Sequence, residues 1–242
     1  MDTTSDAQRT IVAMGGGGFS MEPDNPLLDD FVLTLARAAR GRERPRVCFI
    51  PTASGDADAY VANFYAAFAR RSEASHLALF NRSILHVEEF LFEQDAVYVG
   101  GGNTANMLAI WRVHGVDRAL ARAWDAGVVL AGLSAGSICW FESGTTDSFG
   151  PLAAFRGGLG FLPGSHSPHY DGEPLRGPTF RRLIAEGALP DGYAADDGAA
   201  LLFLGTELSE VVASRPGARA YRVERSPAGT AVETELPTRY LG

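Results

Sequence analysis

The chain has 242 residues, a net charge of −8, and draws all 21 of its basic side chains from arginine. Without a basic stripe it offers no phosphate-binding face for nucleic acid, and without lysine it excludes Schiff-base, Ser-Lys and phosphate-loop-lysine chemistry. Hydrophobic residues make up 46% and charged residues 21%, the balance expected of a soluble globular protein, and no apolar run is long enough to span a membrane.

The opening MDTTSDAQRT is polar and acidic, unlike a secretory signal. Residues 1–9 are therefore read as a frayed lead-in to one α/β domain covering 1–242. TIVAMG (10–15) predicts the first strand, ending in GGGGFS. PLLDDFVLTLARAAR (26–40) predicts a helix, with Asp24 or Asn25 as cap and Pro26 at its first position. RVCFIP (46–51) is a second strand and DADAYVANFYAAFARR (56–71) a second helix. HLALF (76–80) and AVYVGG (96–101) are further strands. NTANMLAIWRVHG (103–115) and VDRALARAWDAG (116–127) are helices, and VVLAG (128–132) is the next strand. This alternation predicts a mostly parallel sheet covered on both faces, with a ligand beyond the carboxyl ends of the strands. The loops GGGGFS, GGGNT and GLSAG all fall at such ends.

Beyond residue 150 the pattern changes. FRGGLGFLPGSHSPHYDGEPLRGP reads as loop, PTFRRLIAEG (178–187) as helix, and ALLFLG, SEVVAS, AYRVER and TAVETEL as short strands forming an antiparallel edge of the same domain. Cys48 and Cys139 lie in apolar runs, RVCFI and SICWF, and read as packed thiols in a cytoplasmic protein. No Cys/His spacing suggests zinc, and neither a metal nor another cofactor is expected.

GLSAG (132–136) fits G-x-S-x-G, the bend that exposes a nucleophilic serine after an apolar strand. Ser134 needs a base. His76, His86 and His114 sit in structural positions, which leaves His166 and His169 in the loop SHSPHYDGE. The group orienting the imidazole could be Glu142, on the expected helix after the bend, or Asp147. Asp196 and Asp197 are later options. The oxyanion would be held by the N–H of Ala135 and by Gly101 or Gly102 in GGGNT. Asn103 or Thr104 caps the following helix, and Asn103 is also a candidate substrate contact.

In that order, VYVGGGNTANML, GLSAG and SPHYDGE resemble the peptidase E family of serine peptidases, family S51, to which the cyanophycinases are more distant relatives. The resemblance covers most of the chain, to about Gly205. It implies a three-layer sandwich like that of class I glutamine amidotransferases, with serine in place of cysteine at the bend. It also implies hydrolysis of small peptides, dipeptides with N-terminal aspartate, by a Ser-His-Asp triad. Carried over residue by residue, the nucleophile is Ser134, the base is His169 of SPHY and the acid is Asp147 of TTDS. A carboxylate-binding arginine falls on Arg176, with Arg181 or Arg182 as substitutes. For this fold the resemblance allows a homodimer. Two competing readings are an α/β-hydrolase esterase and an inactive peptidase-like protein that binds a ligand.

Overall fold

The computed structural model describes residues 7–242; residues 1–6 of the expected lead-in lie outside the described residues. Ala7–Arg9 are irregular but attached: the Arg9 carbonyl accepts from Gly205 N at 2.7 Å, and its guanidinium lies 4.6 Å over the Trp124 ring.

The first half alternates as expected. β1 (Thr10–Met14), β2 (Arg46–Ile50), β3 (Glu73–His76), β4 (Ala96–Val99) and β5 (Val129–Leu133) pair side by side in parallel, in the spatial order β1-β5-β4-β2-β3. Between them run α1 (Gly18–Met21), α2 (Leu27–Arg40), α3 (Asp58–Phe68), α4 (Val87–Phe92), α5 (Thr104–His114) and α6 (Val116–Asp125), and β5 is followed by the single turn α7 (Ala135–Ile138). Strands β1, β4 and β5 are buried at every position, which is why they read as continuous apolar runs rather than alternating ones. Two differences stand out. β3 ends at His76, with Leu77 and Leu79 buried just beyond it, so the expected strand at 76–80 is displaced toward the N-terminus. Residues 87–92, between two expected strands, form α4.

The sheet's two faces bury separate cores. Val12, Met14, Tyr98, Val129 and Leu133 meet Leu28, Val32, Phe64 and Phe68 from α2 and α3. Ile11, Val97, Val99 and Leu130 meet Leu108, Trp111, Leu120 and Trp124 from α5 and α6.

The second half departs from expectation. Glu142, expected on a helix after the bend, lies instead on β6 (Phe141–Thr146). The Gly/Pro-rich stretch contains the end of β7 (Ala153–Arg156) and all of β8 (Leu162–Ser167), and then comes α8 (Arg176–Ala185). The C-terminal strands are shared between two sheets. β10 (Ala199–Leu204) joins β1 in antiparallel register, Thr10 opposite Leu204, and β11 (Glu207–Ala213) and β14 (Thr238–Tyr240) extend that side. β9 (Gly192–Ala195), β12 (Ala220–Arg225) and β13 (Ala231–Glu235) instead join β8, β6 and β7 in a second, six-stranded sheet. A single antiparallel edge is thus replaced by two sheets that share an apolar layer. In that layer Phe203 of β10 packs edge-on against Phe141 and Tyr193 at 5.7 and 5.4 Å. On the far side of the second sheet, Phe180, Leu183 and Ile184 of α8 cover Ala194 and Val223.

Candidate active site

Strand β5 leaves the core at Leu133, and the next residue, Ser134, has φ 54° and ψ −119°. A side chain rarely adopts this backbone region, and holding it there costs on the order of 1–3 kcal/mol. The neighbours hold the bend. The Ser134 carbonyl accepts from Ser137 N at 2.9 Å, Ile138 N at 3.0 Å and Ser137 Oγ at 2.8 Å. The flanking glycines are a packing requirement. A Cβ at Gly132 would stand 2.2 Å from the Gly136 carbonyl oxygen, and one at Gly136 would stand 2.3 Å from that of Val99.

Two N–H groups beside the serine, those of Ala135 and Gly102, have no hydrogen-bond partner among the described residues. The Gly101 N–H is occupied, since it donates to the Tyr60 hydroxyl at 3.1 Å. Of the two expected loop donors, Gly102 is therefore the available one. Gly101 forms the wall behind Ser134, where a Cβ would lie 3.6 Å from Ser134 Oγ.

His169 reaches the same rim from the second sheet. Its backbone N–H donates to the Gly15 carbonyl at 3.2 Å, while Tyr170 N donates to Ala195 O at 3.1 Å. Gly15 follows Met14, which is paired in register with Leu133. Ser134 and His169 therefore flank one short piece of backbone at the carboxyl end of β1. His169 Nδ1 lies 2.6 Å from Asp197 Oδ1, both side chains being largely buried. A carboxylate can only accept, so Nδ1 carries a proton, and in the neutral imidazole the lone pair lies on Nε2. The hydrogen bond from His169 lowers the Asp197 pKa most, with the charges of Arg215 and Arg176 assisting against burial, so this carboxyl stays ionised. Gly16 and Gly172 let the loops close on it: a Cβ on either would fall 2.1 or 2.2 Å from an Asp197 carboxylate oxygen.

Asp147 does not occupy this position. It follows β6 on the same rim, but it is exposed and its carboxylate has no hydrogen-bond partner among the described residues. Glu142, on a strand rather than a helix, points outward and accepts from Gly164 N at 2.9 Å. Asp196 accepts from Arg219 N at 2.9 Å, and burial pushes its pKa up to about 6. His166 is wholly buried and stacked on Phe141 at 4.9 Å. Burial lowers its pKa to about 3, so it stays neutral and away from the serine's chemistry.

The expected substrate contacts already have partners. Asn103 Oδ1 caps α5 by accepting from Asn106 N at 2.9 Å, and its Nδ2 donates to Ser148 O at 3.2 Å. Arg176 is buried, donating through Nε to Glu173 at 2.6 Å and through Nη1 to the Thr145 carbonyl at 2.9 Å. Arg181 is paired with Glu233 and Arg182 with Glu186, each at 2.9 Å. Sequence reasoning overlooked Tyr60, Asp171 and Arg215, which touch the site only through the folded backbone. A Tyr on a helix and charges in turns carry no local signal of this.

The chain is similar to known proteins in both sequence and fold. The family model for peptidase family S51 matches residues 11–211. The chain is 52% identical over 235 residues to the uncharacterized peptidase YgaJ of Bacillus subtilis (strain 168), covering 97% of this chain and all of that protein. Among solved structures, a peptidase from an acI-B1 Actinobacterium shares the fold with a TM-score of 0.73 at 18% identity, over 96% of each chain. A putative peptidase E protein from Listeria monocytogenes EGD-e does so with a TM-score of 0.59 at 21% identity, over 84% of this chain and 98% of that one. Family match, close relative and shared architecture lead to one assignment: the chain belongs to peptidase family S51.

Proposed function

We propose that the protein is a serine-type peptidase that cleaves short peptides through an acyl-enzyme, using Ser134, His169 and Asp197. The observation that carries this reading is the hydrogen bond from His169 Nδ1 to the ionised Asp197, at a rim shared with a serine on a strained bend. In the first step His169 Nε2 takes the Ser134 proton while Oγ bonds to the peptide carbonyl carbon. The oxyanion is met by the Ala135 and Gly102 N–H groups. Asp197 holds the imidazole in the right tautomer and stabilises its charged form. The carbon–nitrogen bond then breaks, the departing amine takes the proton from His169, and water repeats the sequence to release the acid and restore Ser134.

Dipeptides with N-terminal aspartate lead the candidate substrates. The resemblance to peptidase E supports this choice, and so does Arg176, the buried cation of the rim. A substrate carboxylate would compete there with Glu173, whose side chain is exposed while that of Arg176 is not. The test is a panel of Asp-X, Glu-X, Asn-X and isoaspartyl dipeptides, run with the wild type and with Ser134→Ala. Hydrolysis by the wild type, strongest on Asp-X and absent in the variant, is expected. Turnover by Ser134→Ala near the wild-type rate would end the serine mechanism, and equal rates across the panel would end the aspartate preference.

A further inference from the structure

Asp197 sits in the turn where the chain crosses from β9 of the second sheet to β10 of the main one. A turn between two sheets has no full strand ladder to fix it, only an isolated bridge between Gly16 and Asp197 in which Gly198 N donates to Gly16 O at 3.1 Å, yet the carboxylate must meet an imidazole to within a few tenths of an ångström. Beside these backbone contacts, a ring of polar side-chain contacts holds the turn on its outer side. The Asp197 backbone N–H donates to Asp171 Oδ1 at 2.8 Å, and the Asp197 carbonyl accepts from Arg215 Nε at 3.0 Å and from Arg215 Nη2. The ring closes on itself, because Arg215 Nη2 also donates to Asp171 Oδ2 at 3.2 Å. Both backbone groups of the acid are thus held by two side chains that hold each other.

The two side chains come from places that matter. Asp171 lies two residues after His169, so the ring ties the loop of the base to the turn of the acid. Arg215 lies in the turn between β11 and β12, the next place where the chain crosses between the sheets. Its Nε is also 3.3 Å from Glu22, just past α1 in the glycine-rich loop after β1. One guanidinium therefore joins the loop beyond β1, the loop of His169 and the turn of Asp197. Only arginine presents donors in a planar fork that can serve a carbonyl and a carboxylate together.

We propose that Arg215 and Asp171 are positioning residues: they clamp the Asp197 backbone so that its carboxylate meets His169 Nδ1. The inference rests on the serine-peptidase reading given above. The clamp acts on alignment rather than on stability, since the Arg215 and Asp171 side chains are 41% and 44% exposed and such pairs stabilise a fold little. Misalignment of a catalytic group, by contrast, lowers rate steeply.

The test is the rate constant for modification of Ser134 by a fluorophosphonate, followed by intact mass, with thermal melting measured in parallel. This readout needs no knowledge of the peptide substrate. The wild type is expected to be modified and Ser134→Ala not. Arg215→Ala and Asp171→Ala are each expected to react ~10-fold or more slowly with little change in melting temperature. The double variant should be about as slow as either single one, because the two residues act as a unit. Arg215→Lys should recover part of the rate. Wild-type rates in Arg215→Ala overturn the clamp, as do single effects that multiply in the double variant. If Arg215→Ala fails to fold, Arg215→Lys and Asp171→Asn decide, and wild-type rates in both overturn it. A wild type that is not modified at all overturns the serine-peptidase reading and the clamp with it.

Discussion

Ser134 and the His169–Asp197 pair stand on one rim, yet they are held there by different physics. Around Ser134 the strands β1, β4 and β5 are buried throughout, and the bend is enforced by excluded volume between backbone atoms at Gly132, Gly136 and Val99. Around Asp197 the contacts are polar and reach solvent: Asp171, Arg215 and Glu22 converge on turns and loops that connect two sheets. A nucleophile needs a fixed, strained backbone, which close packing supplies because it does not yield. A base and its acid need directional alignment, which hydrogen bonds supply.

The comparison can be broken at several points, and the largest effect should come on the polar side. Asp197→Asn removes the carboxylate that sets the His169 tautomer. It should lower peptide hydrolysis by ~10³–10⁴-fold while leaving the melting temperature close to that of the wild type. The next effect tests the one polar weakness beneath the glycine-rich loop. Asp29 is buried in α2, its Oδ1 has no partner among the described residues, and burial pushes its pKa up from 3.8 to about 7, against the pull of Arg71. The folded protein thus keeps a proton that the unfolded chain has lost, so stability falls as pH rises from about 4 through about 7. Asp29→Asn has no proton to lose. Measured by urea unfolding, it should gain about 4 kcal/mol relative to the wild type between acidic and mildly alkaline pH. On the packed side the expectation for Asp197→Asn reverses, with fold lost before chemistry. Gly136→Ala drives a methyl group into the Val99 carbonyl and should cost about 3 kcal/mol of stability in denaturant unfolding, with the loss of activity following the loss of folded protein. The smallest effect belongs to Asp147→Asn. With an exposed, unpartnered side chain, it should shift stability by no more than ~0.5 kcal/mol and leave hydrolysis unchanged.

The packed side was largely legible in the sequence and the polar side was not, for the same reason. An apolar strand ending in a bend hemmed by glycines is a local pattern, and GLSAG announces Ser134 within five residues. The first five strands and the helices α2, α3, α5 and α6 follow from periodicity, with end shifts of a few residues. Asp197 is different: it reaches His169 only because β9 lies in one sheet and β10 in the other, and nothing within YAADDGAALLF says which sheet each strand joins. The same ambiguity put Glu142 on a helix, whereas it lies on β6, whose Gly144, Thr145 and Thr146 pair with Phe155, Ala154 and Ala153 of β7. Asp147 is the acid that the resemblance of TTDS implies, and it follows the serine closely in the chain. Proximity along the chain is not alignment in space, and its carboxylate meets solvent.

The crossing of Asp197 from one sheet to the other has a consequence for the protein's synthesis. The serine and histidine are both made before the acid, and the arginine that steadies the acid comes later still. A nascent chain emerging in order from a ribosome would carry the proposed nucleophile, Ser134, well before the acid proposed to orient its base. On the proposed mechanism, hydrolysis would begin only once β10 lies against β1 and the Arg215 turn has joined the loop of His169, so the order of synthesis itself would delay activity until the architecture closes.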